Sequence, residues 1–367
     1  MARKIAAAPV VDMLTRYDAV EMQMLYLFPE LVEELGGDPH ALLTESGIDA
    51  DAFLAGKVRA SYRQTVELME LSAARLACPD FGMRLGSMQS GRISSPLVIA
   101  MKHSRTFGEA LRFVTSHSHA HSLAATIWLR QSHWDGFVSL GHDILLDGLP
   151  HRVQAVEQIL LVAHHSALEA TGGRVRARCI VFRHQPLSSL RTYHRMFGCE
   201  VRFGLQANSI LFHEGDMECP ILNPDEEVHA RIAAFIDTEY PQRRPLVHAQ
   251  VRALVMRGIA SEYCTNNQVA AALALHPRTL HRRLTREGTS FQQIKNDVRQ
   301  DMMLYYLKQT AMELSQVSER LGFVEQSAMT HYCRKRFGQS PTQLRTRAQK
   351  ARAADLLVAE AQARMAQ

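Results

Sequence analysis

Arg278, His281 and Arg282, with Arg286 one turn further, recur at the spacing that places side chains on one face of an α-helix. An arginine so placed can donate a bidentate pair to guanine O6 and N7, the commonest specific contact to a base edge. A second set at helical spacing is Gln326, Ser327, Thr330 and His331. Glutamine matches adenine N6 and N7, and threonine can hydrogen-bond a base or touch a thymine methyl. The neighbouring cations Arg283 and Arg286, and then Arg334, Lys335 and Arg336, suit phosphates, which anchor a protein on a duplex without reading it.

Each set needs a helix held at a fixed angle, and the chain supplies such a unit twice. Val269, Leu273 and Leu275 match Val317, Leu321 and Phe323 at an offset of 48, and Leu280 and Leu284 match Met329 and Cys333 at 49. Each copy reads as a short apolar helix, a tight turn and a second helix with a polar, basic outer face. That is the pattern of a helix-turn-helix, whose second helix enters the major groove. The units span about 268–287 and 316–337. Pro277 fits the first turn of its helix, where a missing N–H costs nothing. Between the copies Phe291, Ile294, Val298, Met302 and Tyr305 recur at helical spacing and predict one long amphipathic bridging helix.

Charge follows the same division. Residues 246–347 hold 15 Lys+Arg against 7 Asp+Glu, a net of +8, whereas 216–245 carry 3 against 7 and residues 1–215 are balanced. A basic domain joined through an acidic segment to a neutral one suggests a polyanion binder attached to something else. With 367 residues, 46% hydrophobic, the chain is long enough for two folded domains. It contains no apolar run long enough to span a membrane, and its opening apolar stretch is too short for a signal peptide. The six cysteines are scattered with no Cys-x-x-Cys pair, as expected of free thiols in a reducing cytoplasm.

The N-terminal part predicts helices first and a small sheet afterwards. Pro29 starts a short helix carrying Leu31, Val32 and Leu35 that stops at Gly36-Gly37. Helices are expected over 63–77, 106–114, 151–170 and 187–196. Strands are expected over 123–129, 137–141, 177–182, 201–203 and 209–213, the first two joined by a hairpin at Asp135-Gly136. Four prolines around one helix, 226–238, mark 216–245 as a linker. The expected fold class is therefore an α+β domain, 1–215, followed by an all-α domain, 246–347, of two helix-turn-helix units bridged by a long helix, with 348–367 as a helical tail.

His117, His119 and His121 alternate near His103. In a strand they would share a face and could converge on Zn²⁺, Ni²⁺ or Cu²⁺. In a loop or strand edge they would be solvated. No thiolate or carboxylate pattern accompanies them, so the solvated reading is preferred and neither a metal nor another cofactor is expected. Of His164 and His165, one should be a core histidine. No Gly-rich phosphate loop, Gly-x-Ser-x-Gly or His-Glu-x-x-His is present, so no catalysis is expected.

Residues 246–347 resemble the DNA-binding domain of the AraC/XylS family of bacterial transcription regulators. The resemblance rests on Pro277-Arg-Thr-Leu-His-Arg-Arg-Leu284, Gly288-Thr-Ser-Phe291, Leu321-Gly-Phe323 with Gln326-Ser-Ala328, and Arg334-Lys-Arg-Phe-Gly-Gln-Ser-Pro341 with Arg345. It implies two helix-turn-helix units reading adjacent major-groove segments, with Arg278, His281, Arg282, Gln326, Ser327, Thr330 and His331 on bases. Met329 and Cys333 stand where the family usually has aromatic residues, and His331 where arginine is common. Residues 20–210 resemble the arabinose-binding-like sensor domain of one branch of that family, through Leu31–Gly37, Ala60-Ser-Tyr62, Phe81-Gly-Met-Arg-Leu-Gly86 and Cys199-Glu-Val-Arg-Phe203 with Asn208. The family resemblance implies a homodimeric, ligand-responsive activator working with promoter DNA and RNA polymerase, with a small-molecule effector of unknown identity. The alternative is a constitutive or architectural DNA-binding regulator whose N-terminal domain only dimerises.

Overall fold

The hairpin signal at Asp135-Gly136 does what such dipeptides do: Gly136 takes φ +78° and the chain reverses between two paired strands. This is seen in a computed structural model that describes residues 22–132, 134–146, 148–149, 151–240, 246–260, 264–310 and 312–350. The opening segment, His133, Pro241, Pro245 and most of the expected 348–367 tail lie outside the described residues.

Among the described residues, a 3-10 turn at Met22–Leu25 is followed by seven α-helices: α1 (Phe28–Glu34), α2 (Pro39–Glu45), α3 (Ala50–Leu54), α4 (Tyr62–Arg75), α5 (Phe81–Gln89), α6 (Pro96–Lys102) and α7 (Phe107–Ser116). Then come β1 (Ala125–Gln131), β2 (Phe137–Ile144), α8 (Val153–Ala170), β3 (Cys179–Val181), α9 (Leu190–Phe197), β4 (Glu200–Arg202) and β5 (Ser209–His213). The sheet order is β1-β2-β5-β3-β4, antiparallel except for the β3–β4 pair. Start signals are local. Ser61 and Gln64 form a reciprocal capping box on α4, Thr106 caps α7 through the Glu109 N–H, and Pro29, Pro39 and Pro96 sit in first turns.

The core of this part rests on α8, whose buried residues include Val156, Leu160 and Leu161. Helix α5 crosses it closely because Gly82 and Gly86 present bare backbone. A Cβ on Gly82 would stand 2.0 Å from the Gln154 carbonyl oxygen, and one on Gly86 3.1 Å from that of Gln158. The Gly82 N–H donates instead to Gln154 Oε1 at 2.7 Å. His164 is buried in this helix and burial pushes it down to about 4, while His165 Nδ1 meets Ser90 Oγ at 2.6 Å.

Two expectations need correcting. The solvated reading of His117–His121 fails: α7 ends at Ser116, Ser118–Ala120 form a 3-10 turn that splits the imidazoles, and His119 is buried. His117 stacks on Phe113, whereas His121 turns inward toward Tyr62. No group of three metal-ligating side chains stands at metal-binding spacing among the described residues. The segment 216–245 is also more than a linker. Met217 and Ile221 belong to the N-terminal core, and α10 (Glu226–Glu239) docks Ile236 beside Leu97 and Ala120. His229 Nδ1 lies 3.0 Å from the Ala100 carbonyl of α6. The acidic helix thus packs on the first domain.

The basic part contains α11 (Val247–Gly258), α12 (Asn266–Ala272), α13 (Pro277–Arg286), α14 (Phe291–Gln309), α15 (Leu314–Arg320) and α16 (Gln326–Phe337), with further helix over 341–350. It has two small cores. Val251, Val255, Val269, Leu280 and Leu284 close one around Ile294 and Val298, and Val317, Leu321, Met329 and Cys333 close the other around Met303, Tyr306 and Leu307. The buried stripe of α14 therefore shifts phase after Val298. Met302 and Tyr305, expected in the stripe, are only partly buried. No helix among the described residues is long and apolar enough to cross a membrane.

Candidate nucleic-acid interface

Each repeat positions its second helix by local chemistry. In the first, Thr265 and Gln268 cap α12 reciprocally, and the turn passes through Ala274 at φ +53°. In the second, the matching turn residue is Gly322 at φ +67°. A Cβ there would meet the Ile259 carbonyl oxygen at 2.2 Å, so glycine is required twice over. Helix α13 opens at His276, whose Nδ1 accepts the Arg278 N–H at 3.2 Å, and Pro277 follows in its first turn. Helix α16 ends at Gly338, φ +68°, beyond the basic Arg334-Lys335-Arg336 turn.

With Leu280 and Leu284 buried, the opposite face of α13 is solvent-facing. Arg278, His281, Arg282 and Arg286 are exposed and line one shallow groove with His276, Thr279 and Thr285. Thr285 lies seven residues after Arg278, two turns along the same face. That spacing was the signal for a residue the sequence reading omitted. Arg283 is not in this groove. It points to the flank, beside Leu246, Gln250 and Glu287.

On α16 the buried pair Met329 and Cys333 is fully enclosed, so these smaller side chains still seat the second unit. Gln326, Ser327 and His331 are exposed in the first half of the helix, and Thr330 is half-buried with its hydroxyl donating to the Gln326 carbonyl at 3.0 Å. Ser327 Oγ donates to Glu325 Oε2 at 2.9 Å. Arg334 and Lys335 are exposed. Arg336 instead donates to Gln300 Oε1 at 2.5 Å.

Helix α14 ties both units to one rod. Lys295 Nζ donates to the Cys264 carbonyl at 2.7 Å on the first side, and Arg299 Nε to the Leu321 carbonyl at 3.0 Å on the second. Arg299 also lies 4.8 Å from the Phe323 ring centre, a cation–π contact, and Tyr332 OH donates to the Asn296 carbonyl at 3.2 Å. The two repeat units are thus braced against the same helix.

The basic domain also meets the first domain through buried charge. Asp143 of β2 is fully enclosed, accepts a hydrogen bond from Trp128 Nε1 at 2.9 Å, and pairs with Arg183 at 3.2 Å and Arg257 of α11 at 3.3 Å. Burial pulls Arg257 down, Asp143 pulls it back up, and the guanidinium settles at about 10, still charged at neutral pH. Arg252 of α11 pairs with Asp301 of α14, which also accepts the Gly148 N–H at 3.2 Å. Ala249 and Ala253 complete the contact by entering the N-terminal core.

Comparison with known proteins agrees with this architecture. Residues 36–221 match the family described as the arabinose-binding domain of AraC transcription regulator, and 269–347 match a helix-turn-helix domain family. The chain is 31% identical over 329 residues to the HTH-type transcriptional regulator VirS of Mycobacterium tuberculosis, covering 88% of this chain and 94% of that one. It is 24% identical over 323 residues to the Ornithine utilization regulator of Pseudomonas aeruginosa, covering 86% and 93%. A shorter match, 38% over 79 residues, covers 22% of this chain and 27% of the Urease operon transcriptional activator of Escherichia coli. The chain belongs to the AraC family, and it is a DNA-binding, helix-turn-helix regulator of transcription rather than an enzyme.

Proposed function

We propose that this regulator is a ligand-responsive activator that works in the cytoplasm as a homodimer at promoter DNA, in contact with RNA polymerase. Strand β2 carries the reading. Leu140 and His142 line a cavity inside the N-terminal domain, and Asp143 beside them holds Arg257 of the DNA-binding domain. A molecule that moves the cavity wall has a single residue step to α11 of the DNA-binding domain. The name of the Escherichia coli relative supports activation.

In this reading 22–240 sense and dimerise, and 246–347 bind DNA. Arg278, His281, Arg282, Gln326, Ser327, Thr330 and His331 read base edges. Arg283, Arg286, Arg334, Lys335 and Arg336 neutralise phosphates, Arg336 after releasing Gln300. Two reading helices per protomer, about one helical turn of roughly 34 Å apart, call for a long operator with repeated half-sites.

The test is a variant that fills the cavity. Ala163 lines it, and Ala163→Phe should shift promoter output by about fivefold or more, the range of allosteric coupling, without touching a DNA contact. Unchanged output and unchanged operator affinity in a folded variant would favour the constitutive regulator whose N-terminal domain only dimerises. Sedimentation of the full chain reads the dimer directly.

A further inference from the structure

The cavity has a volume of about 160 Å³ and a wall that is almost wholly apolar, with Leu111, Ile127, Leu140, Ile159 and Phe212 among its lining. No Asp, Glu, Lys or Arg lines it among the described residues. Its few polar atoms are specific. Gln158 Nε2 donates to the Met24 carbonyl at 2.6 Å and to Gln89 Oε1 at 2.8 Å. A carbonyl can only accept, so the amide cannot be turned over, and Gln158 Oε1 is left buried with no partner. His121 Nε2 and His142 Nδ1 are likewise buried and unpartnered, with their rings 6.0 Å apart. Burial pushes His121 down to about 4 and His142 to about 3, so both imidazoles are neutral. A buried acceptor without a donor loses the hydrogen bond it had in water, and a bound hydroxyl would restore it.

We propose that the effector is a small uncharged molecule with one six-membered ring or an equally short chain, bearing a hydroxyl that donates to Gln158 Oε1. This rests on the ligand-responsive reading and narrows it. The size follows from volume, since a dry cavity of about 150 Å³ holds benzene. The charge follows from the wall, because a carboxylate or ammonium would enter with no counter-charge. A pentose is excluded by the same accounting. It carries a hydroxyl on nearly every carbon, against a wall whose polar groups are these three atoms, the Ser95 and Ser166 hydroxyls and amides already engaged. The arabinose-binding name of the domain family therefore does not describe this cavity.

The experiment is calorimetric titration of the full chain with p-cresol, toluene, benzoate and L-arabinose. p-Cresol should bind at least about tenfold more tightly than toluene, the value of one recovered hydrogen bond. Benzoate and L-arabinose should bind weakest. Gln158→Met should reduce p-cresol to the level of toluene while leaving toluene itself unchanged. If that variant does not fold, Ala163→Phe should abolish p-cresol binding by filling the site. Tighter binding of benzoate or L-arabinose, removed by Ala163→Phe, would overturn the proposed class and leave the ligand-responsive regulator standing. No binding of p-cresol or toluene would also overturn the class, while promoter output of the filled variant judges the broader reading separately.

Discussion

Asp143 and Arg257 meet across the boundary between the two domains, Oδ2 to Nη1 at 3.3 Å, with the carboxylate fully enclosed. The pair is asymmetric in its obligations. Asp143 has Trp128 and Arg183 as well, whereas the ion pair to Asp143 is what offsets the burial of Arg257. Removing Asp143 strands the buried Arg257, which costs about 3–5 kcal/mol, whereas removing Arg257 leaves Asp143 with Arg183 and Trp128 and costs less.

That relationship predicts strong coupling. Asp143→Asn and Arg257→Met should each destabilise the chain, and the double variant should fall short of their sum by about 0.5–3 kcal/mol. Guanidinium unfolding followed by tryptophan fluorescence measures all three. Additive costs would mean that the two domains do not hold each other through this pair.

Reading and anchoring should separate on α13 and α16. Arg282→Ala should cost about 1–3 kcal/mol on the preferred site and relax one base position. Lys335→Ala should weaken every sequence alike. If about eight phosphates are neutralised, the log–log salt slope should be roughly −7 on B-DNA. A shallow slope, or the two variants behaving in reverse during site selection, would refute the assignment of reader and anchor.

The matched turn residues should answer oppositely to the same kind of change. Ala274 holds φ +53° with a Cβ, a conformation that costs an L-residue about 1–2 kcal/mol. Ala274→Gly relieves it, although glycine gives back roughly 0.5–1 kcal/mol of unfolded-state entropy, so the variant should be neutral to slightly more stable. Gly322→Ala should destabilise by about 2 kcal/mol or more, because its Cβ also runs into the Ile259 carbonyl. Melting temperatures of both variants give the comparison.

A buried acid on α8 sets a pH dependence. Burial holds Glu157 well above the usual carboxylate range, outweighing the Tyr193 hydroxyl that donates to it at 2.6 Å. Burial also lowers its neighbour His184 to about 4, so their 3.5 Å contact is between neutral groups. An acid whose folded pKa is raised stays protonated when the unfolded chain, at about 4.3, has ionised. Folded chains then bind the extra proton, and stability falls as pH rises. Glu157→Gln should remove that slope and gain on the wild type as pH rises above about 4.3, where the unfolded carboxyl ionises. Parallel stability curves would show that Glu157 is ionised in the fold.

The reading units were legible because their determinants lie within twenty residues of each other. Pro277, the Leu280–Leu284 pair and the basic outer face of α13 follow from helical periodicity alone. The cavity was not legible. Its wall is gathered from Met24 to Phe212, and no short window contains two sides of it. His121 shows the difficulty, since alternation with His117 and His119 mimics a strand, yet a 3-10 turn sends this ring inward. Gly82 and Gly86 concealed α5 for a related reason. Glycine weakens a helix signal, and its purpose here lies in another helix, α8. Helix α14 was found, but a single stripe was assumed where two cores demand two.

The phase shift along α14 has a consequence for how such proteins can change. Ile294 and Val298 belong to one unit and Met303, Tyr306 and Leu307 to the next, all on one continuous helix. Adding one residue between Val298 and Met303 would turn the second unit by about 100° and carry it about 1.5 Å along the axis. No such step preserves the facing of both helices. If α13 and α16 read bases as proposed, the distance between their two words is inherited as a unit, and new operators arise by respelling each word rather than by respacing the pair.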